Sequence, residues 1–134
     1  MKHFLVDTNV VIDLLLNRDG ADAAAALFDG AEKSEYRISI CSLSFTNIYY
    51  SLRKFLSHNQ RINCLMQLQE VLHILPVDEN VIKASLACDW QDFEDAVQYY
   101  SAAADGSVNG IVTRNTKDFK KSKIEVIDPK FFLG

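Results

Sequence analysis

Short apolar runs separated by stretches of helical periodicity constrain this chain more than any other feature. His3-Phe4-Leu5-Val6 ends directly on Asp7, and Val10, Val11, Leu14 and Leu15 then follow helical spacing to about Asn17. Arg18-Asp19-Gly20 breaks that helix, and an alanine-rich helix is expected over Ala21 to Lys33. Tyr36–Cys41 is expected as the second strand. Ser44 then stands as the cap of a strongly amphipathic helix that carries Phe45, Ile48, Tyr49, Leu52, Phe55 and Leu56 on one face. Further helices are expected around Ile62–Leu72, Val81–Leu86 and Phe93–Ala104. Strands are expected at Ile74–Val77, where Pro76 interferes, and at Gly110–Thr113 and Ile124–Ile127. Strands alternating with helices in this way give an α/β fold with three layers and a mostly parallel central sheet covered on both faces. In such sheets ligands gather beyond the carboxyl ends of the strands, near a switch in strand order.

A length of 134 residues fits one domain, 1–134, with no linker or repeat inside it. The amino terminus reaches Asp7 before any apolar region of the length a secretory signal needs, and no run approaches the ~20 residues of a membrane span. A cytoplasmic protein that does not engage the membrane is expected. Cys41, Cys64 and Cys88 form no Cys-x-x-Cys pair, so reduced, mostly buried thiols are expected in place of a zinc site. The net charge of −4 argues against indiscriminate coating of nucleic acid. Charge is uneven, with acids at Asp89, Asp92, Glu94 and Asp95 and bases at Arg114, Lys117, Lys120, Lys121 and Lys123. That pairing suits a metal-assisted site for a phosphate-bearing substrate, and it equally suits a solvated surface.

Asp7 follows the first strand directly, Thr113 and Asn115 follow the Gly110–Val112 strand, and Asp95 lies in the first turn of its helix, off the apolar stripe. Two carboxylates about 4 Å apart repel by roughly 4 kcal/mol at an effective dielectric near 20, so such a pair needs a proton, a cation or a metal. Carboxylate oxygens suit Mg²⁺ or Mn²⁺, and a bound metal activates water and offsets charge on a phosphoryl group. Structural readings stand beside these. Asp7 could cap the helix that begins at Thr8, and Asp92-Phe93-Glu94-Asp95 has the form of a cap with acidic first-turn residues. Asp13 is expected at a packing edge or in a hydrogen bond, and His3, His58 and His73 at solvent-facing or core-edge positions.

Three segments resemble the PIN-domain family in order and spacing. Phe4-Leu5-Val6-Asp7-Thr8-Asn9-Val10-Val11-Ile12-Asp13 resembles its opening, Asp92-Phe93-Glu94-Asp95-Ala96-Val97-Gln98 its later acidic segment, and Ile111-Val112-Thr113-Arg114-Asn115-Thr116-Lys117-Asp118-Phe119 its closing motif. The resemblance implies a PIN-like α/β/α fold and an endoribonuclease that hydrolyses RNA phosphodiester bonds with Mg²⁺ or Mn²⁺ and metal-activated water. It implies Asp7 and Asp95 as catalytic residues and Asp7, Asp95 and Asp118 as metal ligands. Asn9, Asn47, Thr113 and Asn115 would support them, and Lys54, Arg114 and Lys117 would meet RNA. Many members of this size resemble VapC toxins, which implies a small antitoxin partner and a homodimer, here through the helices around Phe45–Leu56 and Ile62–Leu72.

Asn47 and Asn115 stand where the family usually carries acids. They favour a second reading, a catalytically degenerate PIN domain that binds RNA or protein. Asn47 could alternatively help cap its helix behind Ser44. A phosphatase using Asp7 as nucleophile is disfavoured because the position two residues on is Asn9. A receiver domain lacks an identifiable partner lysine.

Overall fold

All four residues of β1 (His3–Val6) are buried, and a strand with no wet face belongs in the middle of a sheet. The computed structural model describes the whole chain, Met1–Gly134, and places β1 there. β2 (Arg37–Cys41), β3 (His73–Leu75), β4 (Gly110–Val112) and β5 (Glu125–Ile127) complete one sheet in the order β3-β2-β1-β4-β5, with every pairing parallel. The chain builds outward from β1 to β3 on one side and then crosses to β4 and β5 on the other. The switch in order therefore falls between β1 and β4.

Six helices cover the sheet: α1 (Thr8–Leu15), α2 (Ala21–Glu32), α3 (Leu43–Ser51), α4 (His58–Val71), α5 (Glu79–Ala87) and α6 (Phe93–Asp105). Alternate residues of β1 face opposite layers, as the pleat requires. Phe4 and Val6 join a core with Val11, Leu27, Ile48 and Leu68 from α1–α4, while Leu5 packs with Tyr99 and Ala102 of α6. Cys41 meets Val81 of α5 and Val97 of α6. The result is the three-layer α/β/α arrangement. Gly110 is needed where β4 meets its neighbours, because a Cβ there would stand 2.7 Å from Ile127 and 3.1 Å from Phe4.

Some elements differ from expectation. Helix α3 spans nine residues and starts at Leu43 behind Ser42, so Ser44 is no cap; it lies inside the helix, buried, sharing a hydrogen bond with Thr8 Oγ1 at 2.7 Å. The helix also stops short of the expected apolar stripe. Ser57 adopts an extended conformation and forms a reciprocal capping box with Gln60, which starts α4 and forces a turn over the preceding residues. Ile48 and Leu52 are fully buried, whereas Phe55, left in that turn, is 63% exposed. His3 is neither solvent-facing nor at the core edge. It is buried in β1 between Ser39 and Ser107, and burial holds its pKa below the usual value, with Arg37 adding to the effect. Cys41, Cys64 and Cys88 are free thiols.

Candidate functional site

The carboxyl ends of β1 and β4 meet at the switch point, where the Asp7 N–H donates to the Val112 carbonyl at 2.9 Å. Asp7 occupies the N-cap position of α1, yet its side chain makes no capping hydrogen bond. The carboxylate turns across the sheet edge instead. Thr113 Oγ1 donates to Oδ2 at 2.8 Å, and Gln98 Nε2 donates to Oδ1 at 3.0 Å. Gln98 is fixed from its other end, since its Oε1 accepts from the Thr8 N–H at 3.1 Å. Only that orientation of the amide satisfies both neighbours. Asp7 is 2% exposed and takes part in none of the chain's five ion pairs. It is a buried carboxylate held by neutral donors, with no cation to balance it.

Helix α6 brings the next acids. Asp92 is its N-cap and accepts from the Asp95 N–H at 3.0 Å, so the capping role falls to Asp92 and the Asp95 carboxyl remains free. Burial, then the fields of Asp92, Asp7, Asp118 and Glu94, push Asp95 up from 3.8 to about 7. Glu94 is raised by burial and by Asp7 and Asp92, while the side chains of Thr8 and Asn47 lie close enough to hold part of its charge. Asn47 and Glu94 line a cavity of about 230 Å³ with Ser44 and Gln98. Asp118 sits exposed in the 3₁₀ turn Thr116–Phe119, whose N-cap position is Asn115. The Asn115 N–H donates to Thr113 Oγ1 at 3.1 Å, which ties this turn to the group that holds Asp7.

These are hard oxygen donors carrying more negative charge than any nearby side chain offsets, a chemistry that suits a hard divalent cation. They do not form a closed cage, since no three His, Cys, Asp or Glu groups converge tightly enough to enclose an ion. The set fits a cation held by one or two carboxylates that keeps much of its water.

The structure brings Asp7, Asp95, Asp118, Thr113 and Asn115 to one edge, with Asn47 reaching it through Glu94. Asn9 is half-buried in the first turn of α1. Lys54 stands exposed in the turn after α3, off the helix that carries Asn47. Lys117 is exposed beside Asp118. Arg114 is engaged elsewhere: its Nε donates to Oδ2 of buried Asp13 at 3.0 Å. Gln98, which holds Asp7, was passed over in the sequence, and Glu94 was counted there only among the acids of its segment. Gln98 carried a signal, a polar residue three positions after Asp95 and set between Val97 and Tyr99, both of which are buried.

A family model described as the PIN domain matches residues 3–117. No curated protein matches the sequence. Among solved structures, VapBC2 from Rickettsia felis, bound to a DNA fragment from its promoter, is similar with a TM-score of 0.71 and 16% identity, over 94% of this chain and 98% of that one. FitAcB from Neisseria gonorrhoeae is similar with a TM-score of 0.70 and 18% identity, over 95% and 98%. A toxin–antitoxin complex from Klebsiella pneumoniae is similar with a TM-score of 0.69 and 23% identity, over 93% and 96%. At these identities the likeness is one of fold.

Proposed function

Because the chain belongs to the PIN-domain family, we propose that it is a Mg²⁺- or Mn²⁺-dependent endoribonuclease, the toxin of a toxin–antitoxin pair, acting in the cytoplasm. The observation that carries this reading is the Asp7 carboxylate, buried at the switch point without a cation and faced by an Asp95 carboxyl raised to about 7. Asp7 and Asp95 would hold the cation directly, and Asp118 would reach it through the water it keeps. When bound it would lower the pKa of water and offset charge on a phosphoryl oxygen. Gln98 and Thr113 fix the Asp7 carboxylate in one orientation, so little reorganisation is needed on binding. Lys117 draws the phosphate backbone toward the acidic edge, and the Asn47 amide orients Glu94.

Two surfaces suit the partners. A groove of about 350 Å³ between α1, α2 and α4 is walled by Leu14, Leu15, Phe28 and Val71 and rimmed by Asp29 and Glu32. It would take an apolar antitoxin segment that carries basic residues. Exposed Tyr50, Phe55, Ile62 and Met66 give the α3–α4 side the apolar surface of a homodimer contact. No helix is long and apolar enough to cross a membrane.

The second reading, a degenerate domain that grips RNA or protein without cutting, is favoured by the open donor set and by neutral Asn47 and Asn115. Calorimetric titration with Mg²⁺ and Mn²⁺, alongside an RNA cleavage assay, separates the two. Wild type should bind and cut, and Asp7→Asn and Asp95→Asn should each lose both. Metal binding unchanged in both variants would remove the site. Binding of RNA with no cleavage at any metal concentration would favour the degenerate domain.

A further inference from the structure

Beside the acidic edge lies a second cavity, of about 260 Å³, whose lining holds one hydrophobic residue, Trp90. Asp92 and Asp118 belong to its wall as well as to the group acting on Asp95. The indole is built in from behind. Tyr99 stacks on it with ring centroids 4.9 Å apart at 27°, and Phe119 meets it edge-on at 5.6 Å. Trp90 is nevertheless only half-buried, and part of the indole lines the cavity. Three lysines surround it. Lys121 is committed to Asp89, whose carboxylate lies 3.0 Å away, whereas Lys117 and Lys120 enter none of the chain's ion pairs.

We propose that this cavity is a nucleobase subsite, in which one unpaired RNA base next to the scissile phosphate stacks on Trp90 while Lys117 and Lys120 hold its phosphate. The inference rests on the nuclease reading and names the form of substrate it takes. A rigid aromatic face beside free cations is how single-stranded nucleic acid is held without sequence readout. A phosphate site alone would need no indole, and an indole buried for packing alone would not line an open cavity beside two unpaired lysines. Bases inside a duplex cannot reach a side-chain face without leaving their stack, so single strands and loops are selected.

Trp90 is the chain's one tryptophan, so indole emission reports on this cavity alone. The wild-type protein is titrated in EDTA and again in Ca²⁺ with a labelled single-stranded RNA dodecamer, with the same RNA as a duplex and with inorganic tripolyphosphate. Label anisotropy is read beside indole emission. Single-stranded RNA should quench the emission and tripolyphosphate should not. Trp90→Leu should bind the single strand roughly tenfold more weakly while keeping wild-type circular dichroism, and Trp90→Phe, which keeps a smaller stacking face, should lose less. RNA binding with unchanged indole emission, or equal affinities for wild type, Trp90→Phe and Trp90→Leu, would overturn the subsite and leave the nuclease reading intact. Equal quenching by tripolyphosphate would reduce the cavity to a phosphate site and overturn it too. No RNA binding under either condition, together with no cleavage in Mn²⁺, would sink both.

Discussion

Asp7 and Asp13 lie on the same strand–helix unit, six residues apart, and each is 2% exposed. Their surroundings are opposite. Asp7 has both oxygens satisfied by neutral donors and no cation. Asp13 has a guanidinium, Arg114, on one oxygen and nothing on the other. Burial raises the Asp13 carboxyl while Arg114 and Arg18 pull it down, so the protein supplies its counter-charge internally. At Asp7 the counter-charge has been left out and the geometry kept. Equal burial and identical chemistry thus separate into a carboxylate with an internal counter-charge and one without.

The largest effect expected from that contrast is on stability, with opposite signs at the two sites. Arg114→Ala leaves Asp13 buried and unpaired. A fully buried pair would cost ~3–5 kcal/mol to break, but Arg114 is 44% exposed, and screening brings the loss to about 2 kcal/mol. Thermal unfolding should fall by roughly 5–10 °C. Adding Asp13→Asn should restore most of it, because the stranded charge is then gone. Asp7→Asn removes a charge nothing balances, so without metal it should unfold no lower than wild type even as it loses function. If Arg114→Ala lost RNA affinity at unchanged melting temperature, the guanidinium would serve substrate and the contrast would collapse.

A smaller effect concerns pH. Asp95 titrates near 7 in the folded chain against 3.8 unfolded, so between about pH 4 and pH 7 the folded state holds the extra proton. Stability must then decline as pH rises through that window, with the cost fully present above it. Asp95 is partly open to water, which limits the cost to on the order of 1 kcal/mol. Denaturant midpoints for wild type should drop from pH 5 to pH 8 more than those of Asp95→Asn, and saturating Mg²⁺ should close the gap. Parallel pH profiles for the two proteins would mean that neither burial nor the neighbouring acids raise Asp95 in solution.

Much of this was written in local pattern. The apolar run ending on Asp7, the Gly110–Val112 run ending on Thr113 and the capped acidic start of α6 are short-range signals, and the edge rule for parallel sheets joins their ends. Contacts across the fold left weaker traces. Nothing near Arg114 in sequence points to Asp13, because the pair forms only once β1 and β4 lie side by side. The end of α3 was hidden because its apolar spacing runs on through Phe55 and Leu56, and the Ser57–Gln60 capping box outweighs periodicity there. Trp90 was passed over for a similar reason. Its partners Tyr99 and Phe119 come from α6 and from the turn after β4.

The smallest effect expected tests how far the missing charge around Asp7 can be restored. Helix α3 starts at Leu43, so Asn47 lies a full turn inside it and cannot serve as its cap. Its amide instead faces Glu94 across the cavity that also holds Gln98. Hard cations gain affinity with each charged oxygen offered, so Asn47→Glu should tighten Mg²⁺ binding severalfold. The same carboxylate placed against Glu94 and within the field of Asp7 is repulsive in the absence of metal, and screening at this partly open site should hold the stability loss to about 0.5–1 kcal/mol. The variant should therefore melt below wild type in EDTA and above it in saturating Mg²⁺, a crossing that neither packing nor helix propensity would produce. Asn47→Ala supplies the control, since it removes the amide and adds no charge, and its Mg²⁺ affinity should stay within about twofold of wild type because a neutral amide brings no charged oxygen. Calorimetry and melting curves for both variants decide the matter. If Asn47→Glu matched wild type in Mg²⁺ affinity and in metal-free stability, position 47 would lie outside the field of Asp7, and the uncompensated carboxylate would have to share its cation with Asp95 and Asp118 alone.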